Sequence, residues 1–268
     1  MEVMDERSLR NALSDIRLGG LRYFERTGST NDAALAWAAA GAPDLALVYA
    51  EEQTEGRGRG DHRWFTPKGT ALAFSLVLRP YPGEERLTPR FSALGALAVC
   101  DVLATQGLHP EIKWPNDVLL NRRKVCGILA ESVWMGEKVD SIVLGVGLNI
   151  KPAAVPTSEQ LNYPATCLET ELMPAQQGIQ AFDRVVLLQQ ILQAVLHWRN
   201  LVASDIFLHA WERRLAFRGE QVEIRTDAQE ARKGQVDGLE QDGSLRLLSP
   251  QGQAFTVQFG EVHLRPVM

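Results

Sequence analysis

The chain has 268 residues and a formal net charge of −5, from 28 Lys and Arg against 33 Asp and Glu. Its hydrophobic fraction of 45% and charged fraction of 23% are typical of a globular protein and exclude a mainly disordered chain. The acidic balance argues against a general nucleic-acid binder, which normally needs a clear positive excess.

The three cysteines, Cys100, Cys126 and Cys167, are widely spaced and form no CxxC pair. This pattern predicts reduced thiols in a cytoplasmic protein and neither a disulfide framework nor a zinc site. The first twenty residues lack a basic-then-apolar leader, and no apolar run reaches the length of a membrane span. We therefore expect no secretion signal and no membrane partner.

In the first half of the chain, hydrophobic patterns separated by turn residues predict helices and strands. Thr30-Asn31-Asp32 precedes an Ala/Leu-rich run that ends at Gly41 and Pro43, which is typical of a capped helix. A second helix is expected over residues 87–107, where Pro89 lies near its start. Strands are predicted over 45–51, 70–78, 112–114, 118–120, 125–132 and 139–150, with a hairpin turn over 121–124.

The pattern changes twice in the second half. Residues 151–174 contain four prolines and predict a loop, and residues 182–202 and 204–217 predict two helices. From 219 to 267 the chain shows five short alternating strands with regular turns, the rhythm of a small barrel. We place a domain boundary near Arg218, which gives domains 1–217 and 218–268.

A glycine- and arginine-rich segment runs from Gln53 to Trp64 and reads QTEGRGRGDHRW. Glycine lets main-chain N–H groups approach an anion, and arginine binds phosphate through a fork of donors. The segment is not a Walker loop. A phosphate-binding loop and a solvated basic loop are equally compatible with this segment alone.

Two further motifs carry polar groups at predicted strand ends. Lys113-Trp114-Pro115-Asn116-Asp117 places a lysine beside residues able to bind a ribose, an amide or magnesium, although Pro-Asn-Asp is also an ordinary turn. The segments 124–131 (KVCGILAE) and 145–149 (GVGLN) have glycines inside strands. These glycines predict a close ligand or, alternatively, bulges in a curved sheet. Asn149 is placed to read an adenine edge.

In this order, STN, GRGRG, KWPND, KVCGIL and GVGLN resemble the biotin protein ligases from Ser29 to Asn149, and Pro164–Leu168 (PATCL) resembles a later family segment. The resemblance implies an α+β fold, with a mixed β-sheet catalytic domain flanked by helices (the class II synthetase-like, biotin/lipoate ligase fold) and a small C-terminal SH3-like β-barrel. One departure occurs where many members read GRGRRGRxW: Asp61 and His62 replace a glycine and an arginine, so that one positive charge is lost and one negative charge is added. The segment resembles instead the GRGRGxxxW variant of other members.

The resemblance also implies an activity. Biotin and Mg²⁺-ATP would form biotinyl-5'-AMP, and a lysine of the biotin carboxyl carrier protein of acetyl-CoA carboxylase would then accept the biotin. Only about 28 residues precede Ser29, too few for a helix-turn-helix unit, so a short ligase without DNA binding is expected, as a monomer or homodimer.

Family roles carry over motif by motif. The catalytic set is Lys113, Arg57 and Arg59, which would stabilise charge at the α-phosphate. The residues implied for biotin are Ser29, Thr30, Asn31, Gln53, Gly56, Arg57, Gly58, Arg59 and Lys113. The residues implied for the nucleotide are Trp64, Asn116, Lys124 and Asn149. Asn116 or Asp117 would support magnesium.

Three alternatives stay open. A lipoate or octanoate ligase or transferase of the same fold would lack KWPND. A nucleic-acid-binding module is disfavoured because residues 219–268 hold eight acidic side chains against five basic ones. A catalytically inactive biotin sensor is disfavoured because both loop arginines and Lys113 are present.

Overall fold

The computed structural model describes residues 4–157, 161, 163–172, 182–226, 229–258 and 262–266. Six α-helices are formed: Glu6–Ala12 (α1), Thr30–Ala39 (α2), Thr88–Thr105 (α3), Leu168–Leu172 (α4), Arg184–Arg199 (α5) and Asp205–Arg213 (α6). The first sheet contains Gly20–Phe24 (β1), Ala46–Ala50 (β2), Ala71–Leu78 (β3), Glu111–Lys113 (β4), Asp117–Leu120 (β5), Arg123–Met135 (β6) and Lys138–Asn149 (β7). The second contains Gln221–Thr226 (β8), Gln229–Leu239 (β9), Leu245–Leu248 (β10), Ala254–Val257 (β11) and Val262–Pro266 (β12).

The first sheet is mixed, with strand order β1-β2-β3-β7-β6-β5-β4. β1 and β2 pair in parallel and the other neighbours pair in antiparallel fashion. Both faces of its centre are covered, so β2 and β3 are buried along their whole length. Alternate residues point to opposite faces: Val48 packs in the cluster under α2, whereas Leu47 and Tyr49 join the main core with α3 and α5. The predicted α+β class and helix-flanked mixed sheet are confirmed.

Most predicted elements are present, with shifted ends. The predicted turn over 121–124 is too long, because Arg123 already belongs to β6 and the turn is Asn121-Arg122, both with positive φ (47° and 63°). This two-residue connection matches the twist of the flanking strands. The last predicted helix ends at Arg213 and not near Phe217. Our expectations missed α1 and β1, and they missed the short helix α4, which lies inside the predicted 151–174 loop.

The predicted bulges at Gly145 and Gly147 are wrong. β7 keeps a continuous register with both β3 and β6 across these positions, and the irregularity in the β6–β7 pair lies between Val133 and Trp134. Part of the predicted 151–174 loop, at residues 158–160, 162 and 173–174, lies outside the described residues, as does Val267 at the end of the predicted barrel.

The second sheet has the antiparallel order β11-β10-β9-β8-β12. Its five strands agree with the small β-domain predicted for residues 218–268, while closure into a barrel and the boundary at 217/218 stay predictions. The sheet contacts the KWPND turn, since the Trp114 indole Nε1 donates to the Gly243 carbonyl at 3.0 Å. Leu215 and Arg218 form bridges to Ile112 and Val236, so the connecting segment pairs with both sheets.

In the described part of the chain, no helix is long and apolar enough to cross a membrane.

Candidate active site

A cavity of about 660 Å³ opens over the face of the first sheet where β6 and β7 lie side by side. It collects every implied site residue except Gly56, together with apolar side chains such as Ile128, Leu129 and Val146. Gly56 lies behind the lining and accepts a hydrogen bond from the Trp64 N–H at 2.8 Å. A Cβ at Gly56 would lie 2.3 Å from the Trp64 carbonyl oxygen, so its contribution is to the shape of the loop.

The Ser29-Thr30-Asn31 motif forms the N-terminus of α2. Ser29 is its N-cap, and the Gln53 side-chain oxygen accepts hydrogen bonds from the Thr30 N–H at 2.8 Å and from its hydroxyl at 3.1 Å. The Gln53 amide in turn donates to Thr66 Oγ1. These contacts hold the polar end of the cavity in one arrangement, and they use part of the hydrogen-bonding capacity that the resemblance assigned to biotin.

The Gly/Arg segment folds as a tight hairpin over the cavity. Arg57 and Arg63 form a bridge, and the Gly58 N–H donates to the His62 carbonyl at 2.7 Å. Gly60 at the tip has φ +57°, in the left-handed region that favours glycine. Asp61 and His62 lie in this exposed tip.

The two implied catalytic arginines differ in their surroundings. Arg57 is held by carboxylates, and its hydrogen bonds to Glu131 raise the pKa of its guanidinium. Arg59 has no ion pair among the described residues, and burial lowers the pKa of its guanidinium, with only the charge of Asp117 opposing that shift. A half-buried, unmatched guanidinium facing a cavity is a site for an anion.

The KWPND segment is a hairpin between β4 and β5, so the predicted turn is confirmed. It places Lys113 directly opposite Asp117 in the last residue pair. The Lys113 ammonium lies 4.0 Å from the centre of the Tyr163 ring. The Asn116 amide donates to the Ile128 carbonyl at 2.6 Å, which ties the turn to β6.

Trp64 and Lys124 also line the cavity. The Lys124 ammonium is 2.6 Å from Asp117 and 5.4 Å from the centre of the Trp64 ring. The Trp64 ring packs on the backbone at Gly147, where a Cβ would come within 2.3 Å of the indole. The indole Nε1–H is sealed from solvent and has no acceptor among the described residues, which is a costly arrangement.

Asn149 is predicted to contact the nucleotide, and its side-chain amide donates to the Thr166 carbonyl at 3.1 Å. The PATCL segment therefore reaches the site: it pairs with Lys124, whose N–H donates to the Pro164 carbonyl at 2.8 Å. Asn149 remains a predicted nucleotide contact, and its amide already joins β7 to this segment.

Three residues that sequence reasoning did not single out shape the site. Glu131 accepts hydrogen bonds from Arg57 and Asn31. Ser75 donates to Asn31 Oδ1 at 2.6 Å, and the Tyr163 ring packs against the Lys113 ammonium. Glu131 follows KVCGIL by two residues, but neither its spacing nor its type distinguishes it from a surface carboxylate. Ser75 is a polar residue inside an otherwise apolar strand, and that exception was a usable signal.

Cations dominate the lining. Besides Arg57, the cavity presents Arg59, Arg63, Lys113 and Lys124 against two carboxylates, Asp61 and Asp117, in a chain whose net charge is −5. The described residues contain no cluster of three His, Cys, Asp or Glu that could hold a metal ion alone. Asp117 and Asn116 offer side-chain oxygens of the kind that Mg²⁺ prefers, but too few to hold the ion by themselves.

The comparisons with known proteins agree with this arrangement. Residues 23–149 match the biotin/lipoate A/B protein ligase family. The chain is 36% identical over 234 residues to the biotin--[acetyl-CoA-carboxylase] ligase of Paracoccus denitrificans, covering 85% of this chain and 94% of that protein. This chain belongs to the biotin/lipoate protein ligase family.

Two further relatives define the extent of the likeness. The bifunctional ligase/repressor BirA of Bacillus spizizenii is 35% identical over 173 residues, which is 64% of this chain and 51% of that protein, so the chain spans about half the length of this curated relative. The structure of a biotin protein ligase from Aquifex aeolicus, in complex with biotin and ATP, superposes with a TM-score of 0.75 at 24% identity, over 92% of this chain and 99% of that one. This likeness establishes the fold.

Proposed function

We propose that the protein is an ATP-dependent biotin protein ligase. The observation that carries the proposal is the cation-lined cavity, which gathers the STN, GRGRG, KWPND, KVCGIL and GVGLN motifs around apolar side chains. Such a cavity suits a ligand with an apolar body and an anionic end next to a polyphosphate. Biotin and ATP together have these properties, and the Aquifex aeolicus relative is described as a complex with both.

In the first step, a carboxylate oxygen of biotin attacks the α-phosphorus of ATP, the bond to the β-phosphate oxygen breaks, and pyrophosphate leaves. Negative charge builds up on the α-phosphate oxygens. We assign Arg59 and Lys113 to its stabilisation, because both line the cavity and no ion pair within the described part of the chain offsets the charge of Arg59. Magnesium would neutralise the phosphates, with Asp117 or Asn116 as its protein ligand.

In the second step, a lysine amine of a carrier protein attacks the acyl carbon, and AMP leaves with the electron pair of the anhydride bond. The intermediate must be kept from water until that amine arrives. The Gly/Arg hairpin covers the cavity and supplies that barrier. Following the name of the Paracoccus relative, we propose the biotin carboxyl carrier protein of acetyl-CoA carboxylase as the acceptor.

We further propose a cytoplasmic enzyme that does not bind DNA, as a monomer or homodimer with its C-terminal domain beginning near residue 218. Its three cysteines are free and buried, which supports a reducing compartment.

Exchange of labelled pyrophosphate into ATP tests the activity, with biotin, lipoate and octanoate in parallel and no acid as the control. We expect exchange that depends on biotin and is at least about 100-fold slower with the other two acids, since a site built for polar ring contacts rejects analogues that leave them unpaired. Exchange that is fastest with lipoate or octanoate would favour the lipoate ligase alternative, and no exchange with any acid would contradict both.

A further inference from the structure

Glu131 follows the lining residues Gly127 and Leu129 on the same face of β6, and it joins two parts of the site that the motifs describe separately. Its Oε1 and Oε2 accept hydrogen bonds from Arg57 at 3.0 and 2.7 Å, and Oε2 also accepts from the Asn31 amide at 2.8 Å. Arg57 belongs to the Gly/Arg hairpin and Asn31 to the N-terminus of α2. A single carboxylate on β6 therefore links the hairpin to the N-terminus of α2. That end of the cavity, where the family resemblance places the biotin ring, is called the ring end.

Asn31 has no donor left for a ligand. One hydrogen of its amide is directed to Glu131 and the other to the Leu129 carbonyl at 3.3 Å, while its oxygen accepts from Ser75. The fit is close, because a Cβ at Gly145 would lie 2.0 Å from Asn31 Oδ1. Asn31 thus acts on the site by fixing neighbouring groups.

The positive charge of Arg57 is balanced by two carboxylates. Besides the bidentate contact with Glu131, its Nη2 lies 2.7 Å from an Asp32 carboxylate oxygen. Two carboxylates around one guanidinium leave little positive charge to stabilise an anion, whereas a bidentate charge-assisted pair strongly fixes geometry. The Arg57 side chain is thus an anchor for the root of the hairpin, and the charge that acts on a bound anion is left to other lining cations, Arg59 and Lys113 among them.

We propose that Glu131 is a positioning residue that couples order at the ring end of the cavity to closure of the Gly/Arg hairpin. This inference rests on the proposed function, because it assigns the coupling to biotin binding. When a ligand stabilises the Asn31 end, the shared carboxylate stabilises the Arg57 anchor, and the hairpin closes before the adenylate forms. Without the carboxylate, each part would still fold but would respond to biotin separately.

Limited trypsin digestion reports hairpin order directly, because the hairpin itself contains Arg59 and Arg63. We expect cleavage after these residues to be about tenfold faster in Glu131→Gln than in the wild type, since loss of a charge-assisted pair raises the open population by roughly that factor. Glu137→Gln, an exposed glutamate in the β6–β7 turn, is the matched control and should cleave as the wild type does. Melting temperatures show whether each variant is folded.

A biotin titration of the same digestion tests the coupling. Biotin should protect the wild-type hairpin, and Glu131→Gln should need about tenfold more biotin for half-protection. A Glu131→Gln hairpin cleaved within twofold of the wild type, with the same half-protection, would overturn the role of Glu131. Failure of biotin to protect the wild type would instead contradict the proposed function.

Arg57→Gln keeps the test valid if Glu131→Gln does not fold, because it removes the pair from the hairpin side. Cleavage after Arg63 should rise by the same factor, and the double variant should be no worse than either single variant. Wild-type cleavage in Arg57→Gln, or additive effects in the double variant, would overturn the proposal.

Discussion

At the scale of single residues, the site separates two uses of positive charge. Arg57 is engaged by carboxylates and fixes geometry, whereas Arg59 and Lys113 face the cavity. Asp117 lies opposite Lys113 and binds Lys124, so it sets the spacing of the cations around the proposed α-phosphate position. This division makes different predictions for variants of Lys113 and Arg59.

Lys113→Ala should reduce biotin-dependent pyrophosphate exchange by about 10²–10³-fold, because it removes a preplaced cation from the charge that develops at the α-phosphate. Steady-state exchange rates measure the loss, and circular dichroism checks the fold. Lys138→Ala, an exposed lysine at the start of β7, is the control. Near-normal exchange in a folded Lys113→Ala protein would remove Lys113 from the mechanism.

Arg59→Gly should release the intermediate more than it slows its formation. Lys113 would still support attack at the α-phosphate, but the hairpin would lose its contact with the bound anion and open more often. Labelling of serum albumin relative to a carrier domain should therefore rise, and it should not rise in Arg26→Ala, a variant of a surface ion pair. If adenylate forms and albumin labelling stays at the wild-type level, Arg59 does not hold the hairpin closed.

At the scale of elements, β7 contains two glycines whose lack of a side chain leaves room for neighbouring side chains of the site. Gly145 and Gly147 stand on the same face of the strand, the first against Asn31 and the second against Trp64. The strand keeps regular pairing on both sides, so these glycines create space without bending the sheet.

Substitution of alanine for Gly145 and for Gly147 should raise the KM of two different substrates. Gly147→Ala pushes the Trp64 ring, so the KM for ATP should rise by about tenfold while the KM for biotin changes little. Gly145→Ala pushes Asn31, and the KM for biotin should rise instead. Each variant is the control of the other, and equal effects on both substrates would contradict the separate assignments.

Chain-local patterns predicted most elements and the motif residues of the site. The helix beginning at Thr30 could be predicted because Ser29 caps an Ala/Leu run, and the KWPND turn because of its proline. β1 escaped prediction because its edge position leaves no clean alternation of buried residues. Glu131 escaped because its role depends on partners 74 and 100 residues away in the chain, which only the folded sheet brings together.

At the scale of the whole molecule, two sheets meet at the active site. The β9–β10 turn of the C-terminal sheet accepts the Trp114 hydrogen bond, one residue from Lys113, and five of the chain's 28 Lys and Arg line the cavity. These five cations line a concave cavity and not an extended face of the kind that follows a nucleic-acid backbone, and the chain as a whole is acidic.

Sequence-selective DNA binding should accordingly be absent, with or without biotin. Gel shifts at physiological salt with a random pool of duplexes measure this, because weak phosphate contacts are screened under those conditions. A salt-resistant shift that enriches one sequence at nanomolar protein would contradict the prediction.

The central claim is that the cavity activates a carboxylate as an acyl adenylate, and biotin labelled with ¹⁸O in its carboxyl group tests it most directly. Because a biotin oxygen forms the bond to the α-phosphorus and stays there when the carrier amine attacks, mass spectrometry after one turnover should find one ¹⁸O atom in AMP. Formation of ADP in place of AMP, with ¹⁸O in inorganic phosphate, would show attack at the γ-phosphate, and it would contradict the account.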